Sequence, residues 1–314
     1  MTLVISTITS SGIVLTADSR QTYKNNAGAI RIGSDSVMKL FKLTEFSGVA
    51  ISGKAFLNEE GQPVKDVGYF INKFKKSEDL KDLSVKEIAV KLNKYLSDLF
   101  VKKEKDNLKK LIETEVNKLG GTNLSFPSTD DNLVPYSYKD KDGKVGTFTG
   151  WIDTINIIVA GMDKDKVGRA YSVFVPKGIG AERDTKQCGA LWVGQTDVLS
   201  RIVKGYAPEI ESLNFVKEAL TKDNSSTTEQ LSKMEYLINW GTITLQDAID
   251  FCVLMTRTTE SIQRFSDGTI LTPGGIAGVG GEIDIAVITP EKGFTWLKRK
   301  KLKAEDAELP LEDE

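Results

Sequence analysis

The sequence predicts an α+β fold in which two antiparallel β-sheets carry helices on their outer faces. Segments rich in β-branched residues occupy both ends and the middle of the chain, and helical stripes separate them. This order of strands, helices, strands, helices and strands lacks the strict alternation that a parallel doubly wound sheet requires. We therefore expect four layers, an αββα sandwich, with helical and loop insertions.

The first sixty residues are predicted to form two antiparallel hairpins. Each consists of two β-branched runs around a turn cluster. The runs are residues 2–9 and 12–17 around Ser10-Ser11-Gly12, and residues 37–43 and 46–52 around Thr44-Glu45.

A long helix is predicted after the hairpins. Ser84 and Glu87 have the spacing of a capping box, in which a hydroxyl and a carboxylate satisfy free N–H groups at a helix start. An apolar stripe then favours a helix as far as about Leu119. Residues 121–150 are polar, with prolines and glycines, and are expected to form a long loop.

The second half returns to strands, with a capped helix from Thr244 before the last pair. Asp223-Asn224-Ser225-Ser226 is expected to be a loop within a variable segment, residues 205–241. We expect one domain over residues 1–297, with insertions at about 100–150 and 205–241. Residues 298–314 are highly charged and are expected to form a solvated tail.

The composition excludes several common kinds of site. Among 314 residues there is no histidine, which removes every triad with a histidine base and nearly all zinc sites. Cys188 and Cys252 are far apart, so neither a disulfide framework nor a thiolate metal site is expected, and we predict no metal and no cofactor. The net charge of −2 indicates neither nucleic-acid nor membrane binding. Without a basic leader or a long apolar segment, a cytoplasmic location is expected.

The two hairpins are expected to bring several polar residues together. A tip at residues 10–11 places position 2 opposite position 19, and a tip near Glu45 places Lys39 opposite Ile51. We expect one small sheet to gather Thr2, Asp18, Arg20, Lys39 and Gly53.

Thr2 offers an unusual chemistry once Met1 is removed, as initiator methionine normally is before a small residue. Its hydroxyl and a free α-amine then belong to the same residue. An α-amine titrates at about 7.7–8.0, so a useful fraction is neutral near pH 7 and can take the hydroxyl proton. This arrangement supplies an activated nucleophile without histidine.

Several segments resemble the proteasome β-subunit family, including the bacterial proteasome-like peptidases among the N-terminal nucleophile hydrolases. The likeness covers roughly residues 2–60, 153–205 and 243–297. Its motifs are Thr2-Leu3-Val4, residues 12–20 (GIVLTADSR), Met38-Lys39-Leu40-Phe41-Lys42-Leu43, Ser52-Gly53, and the later residues 159–163, 171–173, 191–194 and 280–289.

The resemblance implies a role for each of the five residues. Thr2 is the implied nucleophile and base, Lys39 promotes ionisation of its hydroxyl, and Asp18 orients Lys39. Arg20 supports the loop around Asp18, and the Gly53 N–H stabilises the oxyanion. The implied substrate is a peptide or protein, hydrolysed through an acyl ester in a homo-oligomer that an unfoldase can serve.

Other functions stay open at this stage. The family's late Asp and Ser correspond to Ile276 and Val279, and its Gly-Ser-Gly turn to Gly194-Gln195-Thr196. This altered surrounding of the amine leaves room for a small-molecule amidase or a peptide ligase. Retention of Met1 would instead indicate a catalytically inactive structural or regulatory subunit, because it blocks the amine.

Overall fold

The structure is a computed structural model. It describes residues 2–25, 29–57, 64–129, 131–270, 277–304 and 307–309. The described residues form helices and antiparallel strands, as the sequence predicts, with the following bounds.

The helices are α1 (Val67–Ser77), α2 (Val85–Lys118), α3 (Asp197–Lys204), α4 (Asn214–Lys222), α5 (Asn224–Ser232) and α6 (Leu245–Phe265), with a 3₁₀ turn at Pro208–Ser212. The strands are β1 (Leu3–Thr9), β2 (Gly12–Ala17), β3 (Gln21–Lys24), β4 (Ile30–Ser34), β5 (Leu40–Thr44), β6 (Ser47–Gly53), β7 (Phe56–Leu57), β8 (Lys65–Asp66), β9 (Thr122–Ser125), β10 (Leu133–Lys139), β11 (Val145–Trp151), β12 (Ile155–Met162), β13 (Gly168–Val175), β14 (Gly178–Asp184), β15 (Gly189–Gly194), β16 (Asp284–Thr289), β17 (Gly293–Lys298), β18 (Leu302–Ala304) and β19 (Ala307–Leu309).

Two five-stranded antiparallel sheets contain most of the core strands. The first sheet has the order β15-β1-β2-β16-β17, and the second has the order β14-β13-β12-β6-β5. Side chains alternate along each strand, so Val4 and Ile8 of β1 pack against the second sheet, whereas Leu3 and Ile5 pack towards α3 and α6. Because both faces are covered, all seven residues of β1 are buried, including the polar Ser6, Thr7 and Thr9.

Four of the described helices pack on the two sheets through separate clusters. Phe70 and Phe74 of α1 and Leu92 of α2 pack on the second sheet, and Leu199 of α3 and Cys252 of α6 pack on the first. The predicted capping box is present at the start of α2, where Ser84 and Glu87 bond reciprocally. The helix runs to Lys118, close to its predicted end.

Both predicted hairpin registers are confirmed, but the hairpins do not share a sheet. Val4 pairs with Ala17, which sets position 2 opposite position 19, and the Ile51 N–H donates to the Lys39 carbonyl at 2.8 Å. The expectation of one small sheet is wrong because β1 and β2 belong to the first sheet and β5 and β6 to the second. Local pairing could not reveal this, since both hairpins find further partners more than a hundred residues away.

Two predicted loops are wrong. Residues 122–151 contain the three-stranded sheet β11-β10-β9, which packs on the second half of α2 through Ile112, Val116 and Val134. Alternating aromatic residues carry this sheet despite its polar composition. Asp223 ends a helix and begins another, because its side chain accepts the Ser226 N–H and caps α5.

The charged run after residue 297 is not entirely solvated. Lys300 is only 6% exposed and forms an ion pair with the buried Asp284. A run of basic letters gives no sign that one member turns inwards. Within the described ranges, no helix combines the length and the apolar character needed to cross a membrane.

Two positions on α2 test the packing of the helix on the second sheet. Leu92 is fully buried, whereas Val90 is 53% exposed. Leu92→Ala should lower the free energy of unfolding by about 2–5 kcal/mol, because it removes buried methyl groups and leaves a cavity. Val90→Ala should change it by less than about 0.5 kcal/mol. Urea denaturation of both variants measures the difference, and equal effects would contradict the packing.

Candidate active site

The first hairpin places Thr2 beside Asp18. Thr2 immediately precedes β1 and Asp18 immediately follows β2, so their pairing brings the two ends together. The Leu3 N–H donates to Asp18 Oδ1 at 3.0 Å, and the Thr2 carbonyl accepts the Gln195 N–H at 2.7 Å. Thr2 is therefore held from β2 on one side and from the end of β15 on the other.

Lys39 reaches this point from the second sheet. Its Nζ donates to Thr2 Oγ1 at 2.5 Å, to the Arg20 carbonyl at 2.5 Å and to Asp18 Oδ1 at 3.3 Å. These three acceptors match the three N–H bonds of an ammonium. Lys39, Thr2 and Asp18 are all buried. The site therefore lies between the ends of the two sheets, and each sheet supplies part of it.

Asp18 is fixed through both of its oxygens. In addition to the contacts at Oδ1, its Oδ2 accepts the N–H groups of Arg20 and Gly280, each at 3.0 Å. Gly280 also accepts the Ser19 N–H through its carbonyl. Gly280 belongs to a glycine-rich segment, residues 277–281, called the glycine segment below. This segment thus holds Asp18 and the residue after it in place.

Arg20 contributes its backbone rather than its side chain to Lys39. Its guanidinium forms a bidentate pair with Asp35, at 2.6 and 3.0 Å, and contacts the Val279 carbonyl at 3.4 Å. The side chain thereby ties the segment after β2 to the residues before β5 and to the glycine segment. This is a supporting position rather than one that touches Thr2 Oγ1.

Gly53 ends β6 with a positive φ of 94°. The Lys54 N–H donates to the Thr154 carbonyl, so the next pair along the strand, Gly53 with Ile155, is a non-hydrogen-bonded pair. The Gly53 N–H therefore points away from β12 and towards the side from which β5 and Lys39 come.

The buried charges change their acidities. Burial lowers the pKa of the Lys39 ammonium to about 8, although the neighbouring Asp18 carboxylate acts against that shift. Burial also raises the pKa of the Asp18 carboxyl, against the effects of Lys39 and of the N–H groups of Gly280, Leu3 and Arg20. Lys39 can therefore change its charge close to neutral pH.

Gln263 contributes to the site although no sequence pattern indicates it. Gln263 of α6 donates to Gln195 Oε1 at 2.8 Å and accepts the N–H groups of Gly278 and Val279, each at 2.9 Å. It thus connects the segment that holds Thr2 with the segment that holds Asp18. A glutamine late in an amphipathic helix looks like an ordinary surface residue. Ile276 lies outside the described residues.

The other nucleophiles and possible ligands are poorly suited to catalysis. Burial raises the pKa of the Cys252 thiol to about 12, and burial also raises the pKa of Cys188. Within the part of the chain that the structure describes, no three Cys, Asp or Glu side chains are grouped as metal ligands. The reactive side chains that the structure brings into contact are thus Thr2, Lys39 and Asp18.

Comparisons with known proteins identify no family. No family model matches the sequence, and no curated protein matches it. Among solved structures, the chain is similar to Anbu (ancestral beta-subunit) from Yersinia bercovieri, with 9% identity and a TM-score of 0.45 over 94% of this chain and 87% of that one. A Gly-1 mutant of Anbu from Hyphomicrobium sp. strain MC1 gives 10% identity and a TM-score of 0.45 over 98% and 90%.

Membership of the proteasome β-subunit family, which the sequence motifs implied, is therefore wrong as an assignment. No family model matches. The similarity to the two Anbu structures, at 9% and 10% identity and a TM-score of 0.45, does not replace it. The function has to follow from the contacts at the site.

Gly194 tests the support of Thr2. It has a φ of 98°, and an added Cβ would lie 1.9 Å from the Thr2 carbonyl oxygen. Gly178 has a φ of 102° with no atom within 4 Å of such a Cβ, so it is a matched control. Gly178→Ala should cost about 1–2 kcal/mol of backbone strain. Gly194→Ala should cost about 1–3 kcal/mol more, because it disrupts the Gln195–Thr2 hydrogen bond. Equal costs in urea denaturation would refute this support.

Proposed function

We propose that this protein hydrolyses amide bonds of peptides, with Thr2 as an N-terminal nucleophile that becomes reactive when the bond between Met1 and Thr2 is cleaved. The observation that carries the proposal is the 2.5 Å hydrogen bond from the buried Lys39 ammonium to Thr2 Oγ1. A positive charge beside a hydroxyl oxygen favours its ionised form.

Because Lys39 is the donor in that hydrogen bond, the general base that takes the Thr2 hydroxyl proton must be another group. Because Thr2 Oγ1 accepts from Lys39, its own hydrogen has to be donated elsewhere. Before cleavage the Thr2 nitrogen is an amide without a basic lone pair. After cleavage it is an amine that can take the hydroxyl proton, directly or through a water. The reaction therefore depends on the cut between Met1 and Thr2.

The proposed reaction has two steps. Thr2 Oγ1 attacks the substrate carbonyl carbon while its proton passes to the α-amine. The tetrahedral intermediate then collapses, the C–N bond breaks, and the departing amine takes the proton back. Water attacks the resulting ester with the α-amine again as base, releasing the carboxylic acid and restoring Thr2 Oγ1–H. Asp18 holds Lys39 and balances its charge throughout.

The Gly53 N–H is the proposed oxyanion donor. Its orientation away from β12 supports this role, because a strand N–H that bonds no neighbouring strand is available to a substrate oxygen. Arg20 is proposed to act indirectly, through the loop that it ties to Asp35.

The remaining features of the hypothesis are proposals of the same kind. The three buried clusters support a four-layer αββα arrangement within one domain. The homo-oligomer, the unfoldase partner and the cytoplasmic location stay predictions. A small-molecule amide in place of a peptide is an alternative outcome of the substrate test.

The nucleophile is tested by labelling with a β-lactone, which acylates an activated hydroxyl. Intact mass should show cleavage before Thr2, and peptide mapping should place the acyl group on Thr2. Thr2→Ala should abolish the labelling, whereas Thr2→Ser keeps the hydroxyl and should retain it. A mature protein in which the Met1–Thr2 bond is intact, or labelling that persists in Thr2→Ala, would overturn the proposal.

The two ionisable groups predict a bell-shaped dependence of labelling rate on pH. The rate should rise as the α-amine loses its proton, ordinarily at about 7.7–8.0. It should fall as Lys39 loses its proton, with a pKa of about 8. The maximum is therefore expected near pH 8, with apparent values that belong to the pair. Lys39→Arg keeps the positive charge, so the decline at high pH should disappear in this control. A wild-type rate that still rises at about pH 10 would contradict the assignment.

A further inference from the structure

A second buried ion pair lies behind the first. Lys300 Nζ is 2.6 Å from Asp284 Oδ2, and the Lys300 N–H donates to Asp284 Oδ1 at 2.9 Å. Asp284 is fully buried and Lys300 is 6% exposed. Among the described residues, Asp284 Oδ2 has no polar contact other than this ion pair. Lys300 is thus the charge that balances Asp284.

The second pair contacts the two backbone segments to which Asp18 and Lys39 belong. Asp284 is opposite Ala17 in the first sheet, one residue before Asp18. Lys300 Nζ also donates to the Val37 carbonyl at 2.8 Å, two residues before Lys39. The Val37 N–H in turn donates to the Ser19 carbonyl at 3.1 Å. The pair therefore ties the end of β2 to the start of β5.

The two pairs also interact through charge. The Lys300 ammonium lowers the pKa of Lys39 and the Asp284 carboxylate raises it, each adding to the larger effects of burial and of Asp18. Among the described residues, the charged side chains that interact with Lys39 from the elements around it are Asp18, Asp35, Asp284 and Lys300. Two of these four belong to the second pair.

We propose that Asp284 and Lys300 are positioning residues for Lys39, which fix its backbone between the two sheets and set the local field in which its ammonium carries its charge. The role in catalysis rests on the proposed function. Neither residue touches Thr2, so both act through Lys39. A fully buried carboxylate and a buried ammonium are costly unless each is compensated, and here the compensation also holds the site together.

Two single substitutions separate this role from a merely structural one. Lys300→Met removes a positive charge near Lys39, so the pKa of Lys39 should rise and the high-pH decline in labelling should move up by about one pH unit. Asp284→Asn removes a negative charge, so the decline should move down by a similar amount. Loss of packing alone would not move the decline in opposite directions.

The double variant and a conservative variant complete the test. In Asp284→Asn/Lys300→Met both charges are absent, so the decline should return close to its wild-type position, with a lower rate because the tether to Val37 is lost. This variant leaves no uncompensated buried charge and stays informative if a single variant fails to fold. Lys300→Arg keeps the charge and should keep the wild-type profile.

A measurement independent of activity distinguishes this proposal from the proposed function. In protein labelled with ¹³C at lysine Cε, an NMR titration reports the ionisation of Lys39, which is assigned by the signal lost in Lys39→Arg. Opposite shifts in Lys300→Met and Asp284→Asn support the charge coupling, even if wild-type protein takes no β-lactone and the proposed function fails. Shifts that are absent, or that have the same direction in both variants, would overturn the inference.

Discussion

The burial of the Lys39 ammonium is the constraint on which the site depends. A charged group away from water needs an acceptor for each N–H and an opposite charge nearby. Thr2 Oγ1, the Arg20 carbonyl and Asp18 supply these. Thr2 immediately precedes β1, and Asp18 and Arg20 follow β2, both strands of the first sheet, whereas Lys39 immediately precedes β5 of the second. The hydrogen bonds of the Lys39 side chain therefore form only when the two sheets pack in one relative position.

The surrounding structure supports this requirement through backbone groups more than through side chains. The N–H groups of Leu3, Arg20 and Gly280 hold the Asp18 carboxylate, and the Gln195 N–H holds Thr2. Backbone donors cannot swing away as side chains can, so the geometry around the hydroxyl is pre-organised. Glycines permit the close approach of these segments where a side chain would collide with the neighbouring backbone.

Much of this arrangement could be predicted from local patterns, and the rest could not for identifiable reasons. The registers of the two hairpins follow from turn chemistry and alternation, so Thr2 could be placed beside Asp18, and Lys39 near Gly53. Which sheet each hairpin joins depends on pairings with strands after residue 150, and no local pattern encodes them. The segment between residues 122 and 151 contains prolines and glycines that ordinarily indicate loops, so its strands could not be predicted from the sequence.

The second ion pair shows the same limit at a single residue. Asp284 begins β16 and stands between Ile283 and Ile285, which is itself a sign of a buried charge, but its partner stands within a basic run that is typical of solvent-exposed segments. A sequence pattern indicates the average environment of the basic run. The burial of Lys300 within that run depends on where the chain turns after β17. For that reason, sequence patterns do not identify Gln263, Asp284 or Lys300 as residues near the site.

The division of the site between two sheets links reactivity to the completeness of folding. A chain whose two sheets have not docked lacks the contact between Lys39 and Thr2, which under the proposed function activates the hydroxyl. Under the proposed function, a hydroxyl reacts only in a molecule whose two sheets have docked and whose Met1–Thr2 bond has been cut, so the extent of reaction would count the molecules that have completed both steps.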